Sequence, residues 1–120
     1  MTYRTYADLV ADAKTRITEV SPLEVLAMRE RGDHVVLIDI REPNEWNLGH
    51  IAGATHIPRG ILESNIENVA QRDATVVLYC AGGSRSALAA EVLQGMGFTD
   101  ARSMARGFRG WAEDGGEIDG

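Results

Sequence analysis

Two apolar runs limit what this chain can fold into more than any other feature. Val35-Val36-Leu37-Ile38 and Thr75-Val76-Val77-Leu78-Tyr79 lack the polar alternation of a half-exposed strand. Each therefore reads as a strand covered on both faces. Helical punctuation surrounds them. Ser21-Pro22-Leu23-Glu24 places a capping hydroxyl, a proline suited to the first turn and an acid three residues after the cap, which starts a helix. Strands alternating with helices give an α/β fold with three layers, a mostly parallel sheet with helices on both faces. A chain of 120 residues suffices for one such domain.

The remaining elements follow from spacing and breakers. A short amphipathic helix is predicted over residues 6–16, with Leu9, Val10 and Ala13 on one side. The helix from Ser21 runs to about Arg31, turns Leu23, Leu26 and Ala27 inward, and stops at Gly32. Further helices are expected at residues 42–48, 62–71, 86–96 and 107–113. In the helix at 86–96, Ala87, Ala90, Val92 and Leu93 mostly face inward. Weaker strands are expected at residues 54–57 and 101–104. The division expected is an N-terminal helical extension (1–19), the domain proper (20–115) and a short tail (116–120). Residues 114–120 are expected to be frayed.

Charge and cysteine count exclude several classes. Eighteen acidic against twelve basic side chains leave a net charge of -6, which disfavours nucleic acid and anionic membrane surfaces as partners. The first 20 residues mix acidic with apolar side chains, unlike a signal peptide. No stretch approaches the roughly 20 apolar residues of a spanning helix. A cytoplasmic protein is expected. One cysteine cannot form an intrachain disulfide or, alone, a thiolate-rich metal site. His34, His50 and His56 show no metal-ligand spacing, so no metal site is expected. His34 reads as exposed, and Trp46 and Trp111 as packing residues.

In parallel sheets ligands bind beyond the carboxyl ends of the strands, and Asp39 and Cys80 both stand at such ends. Cys80-Ala81-Gly82-Gly83-Ser84-Arg85-Ser86 leads from a buried strand into a helix. Its successive N–H groups can curl into an anion-binding nest, reinforced by the positive end of the helix. Arg85 adds a permanent positive charge. A thiol so placed is expected to ionise below the ordinary value of about 8.5. Ser86 can either hydrogen-bond the Cys80 sulfur or cap its helix. Asp39 and Arg41 can orient the loop, or form a structural ion pair with Glu42 or Glu45.

The ordered set Asp39-Ile40-Arg41-Glu42, Glu45-Trp46, Gly49-His50-Ile51, Gly53-Ala54, Ile57-Pro58, Cys80-x-x-Gly83-x-Arg85, Gly97-Phe98 and Gly107-Phe108 with Trp111 resembles the rhodanese-like domains. The resemblance spans about residues 20 to 115. It implies the rhodanese-like fold and a sulfurtransferase in which the Cys80 thiolate takes sulfur from thiosulfate or a persulfide donor. The loop Ala81, Gly82, Gly83, Ser84 and Arg85 would hold the small anionic donor and the persulfide. Cyanide or a thiol, including a protein sulfur acceptor, would then receive the sulfur. No cofactor is implied.

Gly82 stands where the family often has serine. Ala81 and Ser84 lack the extra basic residue of some thiosulfate-preferring members, which leaves Arg85 as the loop's only fixed charge. Arg106 precedes Gly107 where the family usually has a second glycine. It reads either as a cation near the site or as a solvated surface arginine. The four residues between Cys80 and Arg85 are one fewer than in related phosphatases, and a tighter ring suits sulfur better than a phosphoryl group. The alternative function is a non-catalytic binding or redox-sensing module. The N-terminal helix could cover a face or mediate dimerisation, so monomer and homodimer both remain open.

Overall fold

The computed structural model describes residues 2–120. Five parallel strands form the central sheet: β1 (Thr18–Val20), β2 (Val36–Asp39), β4 (Thr55–His56), β5 (Thr75–Tyr79) and β6 (Asp100–Met104). Their spatial order is β1-β6-β5-β2-β4, and every pairing between neighbours is parallel. The two apolar runs are central neighbours, with Ile38 opposite Leu78 and Asp39 opposite Tyr79. From β2 the chain next adds a sheet strand on one side, and from β5 on the other. The sheet therefore has its topological switch point between β2 and β5, and the crevice lies beyond their carboxyl ends.

Alternate residues of β5 serve different cores. Val76 and Leu78 pack with Ile38, Ala89, Ala90 and Leu93, the last three from α5 (Ser84–Gly95). Val77 and Tyr79 face Val25, Met28 and Trp111 from α2 (Pro22–Glu30) and α6 (Gly107–Glu113). The sheet is therefore covered on both sides, as its unalternating strands require. Helix α1 (Tyr6–Lys14) lies against α5, and Arg16 just beyond it pairs with Glu91. Among the described residues no helix is long and apolar enough to cross a membrane.

The Ser21 cap forms as expected, with Ser21 and Glu24 each accepting from the other's backbone N–H. The buried face of α2 does not follow expectation. Pro22, Val25 and Met28 are buried while Leu23 is 60% exposed, because Val25 and Met28 are the residues that enter the core with Val20, Val77 and Trp111. In α5, Ala89 takes an interior place that Val92 does not. The helix expected at 62–71 is broken. A 3-10 turn at Arg59–Ile61 leads into α4 (Leu62–Asn65) and a second 3-10 turn at Ile66–Asn68. Leu62 and Ile66 are fully buried there, so burial of two anchors decides the path and regular helical continuation yields. The C-terminal segment is not frayed. β7 (Ile118–Asp119) pairs antiparallel with β3 (His50–Ile51), and Trp111 Nε1 donates to Glu117 O at 3.0 Å.

Candidate active site

Cys80 follows β5 directly, and its sulfur sits at the floor of a ring of donors. The Gly83 N–H donates to Sγ at 3.2 Å and the Ser86 N–H at 3.4 Å. The thiol donates to Ser86 Oγ at 3.5 Å, and the same hydroxyl can donate back once sulfur is anionic. Burial pushes the thiol up. Hydrogen bonds from the Ser86 hydroxyl and from the amides of Ser86, Gly83 and Gly82 outweigh it, and the net result is a thiol below its ordinary value. The thiol is 1% exposed, so the donors act in a largely water-free space where they are stronger.

Local backbone chemistry sets the ring. Gly83 caps α5 at φ +103°, a conformation open to glycine at little cost. A Cβ there would also lie 3.2 Å from Arg106 N. Helix α5 begins at Ser84, so Ser86 lies inside its first turn and does not cap it. Its Oγ instead shares a 2.8 Å hydrogen bond with Ser103 Oγ on β6. The start of α6 is fastened to the loop from the other side. Phe108 N–H donates to Cys80 O at 2.8 Å and Arg109 N–H to Ala81 O at 3.1 Å. Gly107, at φ +52°, permits this approach, since a Cβ there would come within 2.3 Å of Cys80 O.

Arg85 is not a free cation in the loop. Its Nη1 and Nη2 each donate to a Glu45 carboxylate oxygen at 3.0 Å, the bidentate geometry of a strong pair. Glu45, in α3 (Pro43–Asn47), is held below the usual carboxylate range first by Arg85 and, more weakly, by the Glu42 N–H. Of the two readings open for Asp39 and Arg41, orienting the loop or pairing with Glu42 or Glu45, the ion pair with those glutamates does not form, and a buried Asp39–Arg41 pair stands in its place. Arg41 Nη2 donates to Asp39 Oδ2 at 2.8 Å and Arg41 N–H to Asp39 Oδ1 at 2.8 Å. The same Nη2 reaches Gly49 O at 2.8 Å, and the guanidinium lies 4.2 Å over the Phe108 ring. This clamp ties β2, the turn after α3 and α6 together behind the cysteine loop. Proximity in sequence favoured the wrong glutamates, because the strand end points Asp39 inward beside Arg41.

Arg106 pairs with Asp114 at 3.0 Å and is a surface arginine at φ +64°. Arg109, one turn further along α6, brings Nη1 to 3.5 Å from where a Gly82 side chain would stand. Nothing in the sequence distinguished the two arginines, because only the docking of α6 decides which one faces the loop. Ser103 was missed too, since its strand gave a weak signal. Trp111 is fully buried. Trp46 stacks between His50, at 3.4 Å, and His56, at 4.7 Å. Surface hollows of about 400 and 390 Å³ near His34 do not include the cysteine loop.

Comparison with known proteins settles the family. The profile of the rhodanese-like domain matches residues 21–114. The chain belongs to the rhodanese-like domain family. A thiosulfate sulfurtransferase GlpE of Pseudomonas entomophila is 39% identical over 92 residues, covering 77% of this chain and 82% of that protein. The Mycobacterium tuberculosis protein named "Probable adenylyltransferase/sulfurtransferase MoeZ" is 35% identical over 92% of this chain. This rhodanese-like chain spans only 29% of that relative's length. A Rhodopseudomonas palustris structure of a protein of unknown function, named a "Possible Tyrosine Phosphatase", is 34% identical with a TM-score of 0.88. It covers 99% of this chain and 97% of its own. The Pseudomonas aeruginosa thiosulfate sulfurtransferase shares the rhodanese-like fold, with a TM-score of 0.84 at 22% identity, over 95% of this chain and 22% of that one.

Proposed function

We propose that this chain is a sulfurtransferase that carries sulfane sulfur as a persulfide on Cys80. The observation that carries this reading is the convergence of the Gly83 and Ser86 amides and the Ser86 hydroxyl on one buried sulfur. Such preorganised donors stabilise an anion on the Cys80 sulfur. The names of the curated relatives favour the same chemistry.

With thiosulfate as donor, the Cys80 thiolate attacks the outer sulfur. The S–S bond of thiosulfate breaks, sulfite leaves with the bonding pair, and a persulfide anion remains on Cys80. An acceptor then attacks the terminal sulfur. Cyanide leaves as thiocyanate, or a thiolate leaves as a new persulfide, and the Cys80 thiolate is regenerated. This is covalent catalysis in two displacements with no change in net charge at the loop between resting and loaded states. A lone thiol working with thiol acceptors suits a reducing compartment, and we place the reaction in the cytoplasm.

A phosphatase reading has one observation behind it, the name given to the Rhodopseudomonas palustris structure. Against it stand the four-residue spacing between Cys80 and Arg85 and the bidentate pairing of Arg85 with Glu45, which offsets the charge a phosphoryl group would draw on. Intact-mass measurement after incubation with thiosulfate decides the matter. The expected result is an adduct of one sulfur atom that cyanide removes and that Cys80→Ala lacks. No adduct from thiosulfate or a small persulfide, together with hydrolysis of an aryl phosphate, would replace this reading with the phosphatase. No adduct and no hydrolysis would leave a non-catalytic module.

A further inference from the structure

The arginines around the cysteine loop are not equivalent. Arg85 is paired with Glu45 at 3.0 Å, Arg41 with Asp39 at 2.8 Å, and Arg106 with Asp114 at 3.0 Å. Arg109 makes no ion pair among the described residues, and its side chain is exposed. Its position is nonetheless fixed at the backbone, because its N–H donates to Ala81 O at 3.1 Å and the N–H of Phe108 beside it donates to Cys80 O. The base of this arginine therefore moves with the cysteine loop. Its Nη1 stands 3.5 Å from the vacant side-chain position of Gly82, an exposed residue at the tip of the loop. A larger residue at 82 would occupy the space through which the guanidinium crosses the rim.

Charge makes this position consequential. The chain carries a net charge of -6, so a dianion approaches against the overall field and needs a local cation to reverse it. The charges of Arg85 and Arg41 are largely offset by Glu45 and Asp39, although Arg85 still faces the Cys80 sulfur. We propose that Arg109 is the donor-recognition residue of the site, binding the sulfonate oxygens of thiosulfate at the rim while the outer sulfur meets Cys80 on the floor. This rests on the sulfurtransferase reading above and deepens it. The planar guanidinium offers forked N–H donors that match two oxygens of an oxyanion. The sulfite that leaves carries the same oxygens, so Arg109 also holds the first product. A simple alkyl persulfide has no pair of oxyanion oxygens and so gives the Arg109 fork nothing to match.

The test compares wild type with Arg109→Ala, Arg109→Lys and Arg109→Glu, using two donors, thiosulfate and 2-hydroxyethyl hydropersulfide, which carries no oxyanion oxygens. Persulfide formation on Cys80 is followed by intact mass and by rate. In Arg109→Ala, kcat/KM for thiosulfate should fall at least tenfold relative to that for the hydropersulfide, chiefly through KM. Arg109→Glu should fall further and Arg109→Lys should recover part of the loss. Inhibition of thiosulfate turnover by added sulfite should weaken in the same order. Equal losses with both donors would show that Arg109 only supports the loop, and would overturn the proposal. Unchanged thiosulfate kinetics in Arg109→Ala would also overturn it, while the persulfide adduct left the sulfurtransferase reading standing. Absence of an adduct in wild type with either donor would overturn both.

Discussion

Ser86 is the residue on which the chemistry of Cys80 turns most directly, since it offers sulfur both an amide and a hydroxyl. Replacing it with alanine removes the hydroxyl and keeps the helix. The alkylation midpoint of Cys80 should then move up toward that of an ordinary thiol. Iodoacetamide reactivity at neutral pH should drop roughly tenfold, the order of one hydrogen bond to a charged group. The lowered thiol also sets the sign of a stability effect. The folded protein releases the proton at lower pH than the unfolded chain, so this contribution is fully present above the unfolded value of about 8.5 and is lost as pH falls through the folded one. Urea titrations of wild type and Cys80→Ser should therefore diverge in wild type's favour as pH rises through that window. Cys80 itself was legible in the sequence from its strand end and glycine loop. The partner of Arg85 was not, because Glu45 lies 40 residues away and only the packing of α3 brings it to the loop.

At the scale of elements, the Asp39–Arg41 pair is the joint between β2, the turn at Gly49 and α6. Its side chains are 0% and 5% exposed, and removing one member of a buried pair typically costs about 3–5 kcal/mol. Arg41→Ala should lose stability on that order in chemical denaturation, with Asp39→Asn close behind. Gly107→Ala should also destabilise, by more than about 1 kcal/mol, since the backbone there is at positive φ and the new methyl group meets Cys80 O. The same variant should slow alkylation of Cys80, because the loop must shift to make room. Strong local signals explain which elements could be read in advance. The Ser21–Glu24 capping box and the unbroken apolar runs of β2 and β5 carry their own boundaries. The broken segment around α4 does not, because Leu62 and Ile66 are placed by the core they enter and the intervening residues only follow.

For the whole molecule, closure at the C-terminus matters more than its sequence suggests. Residues 114–120 contain three glycines and no apolar run, so nothing local announces a strand. β7 forms because β3 offers a free edge and the buried Trp111 needs an acceptor for its indole N–H. Deleting residues 117–120 should cost about 1–3 kcal/mol, the range for a buried donor left unsatisfied, and shift tryptophan emission to longer wavelength. The fold also buries the Cys80 sulfur to 1% exposure, and this has a consequence for regiochemistry. A persulfide has two sulfurs open to attack, and attack on the inner one would give a mixed disulfide and hydrosulfide. On the proposed function, the terminal sulfur, once attached, covers the inner one from the only side the loop leaves it, so an incoming thiol meets the terminal atom first. On the same proposal, turnover with a thiol acceptor should yield the acceptor's persulfide with little free hydrosulfide, and the burial of Cys80 would then select which bond breaks.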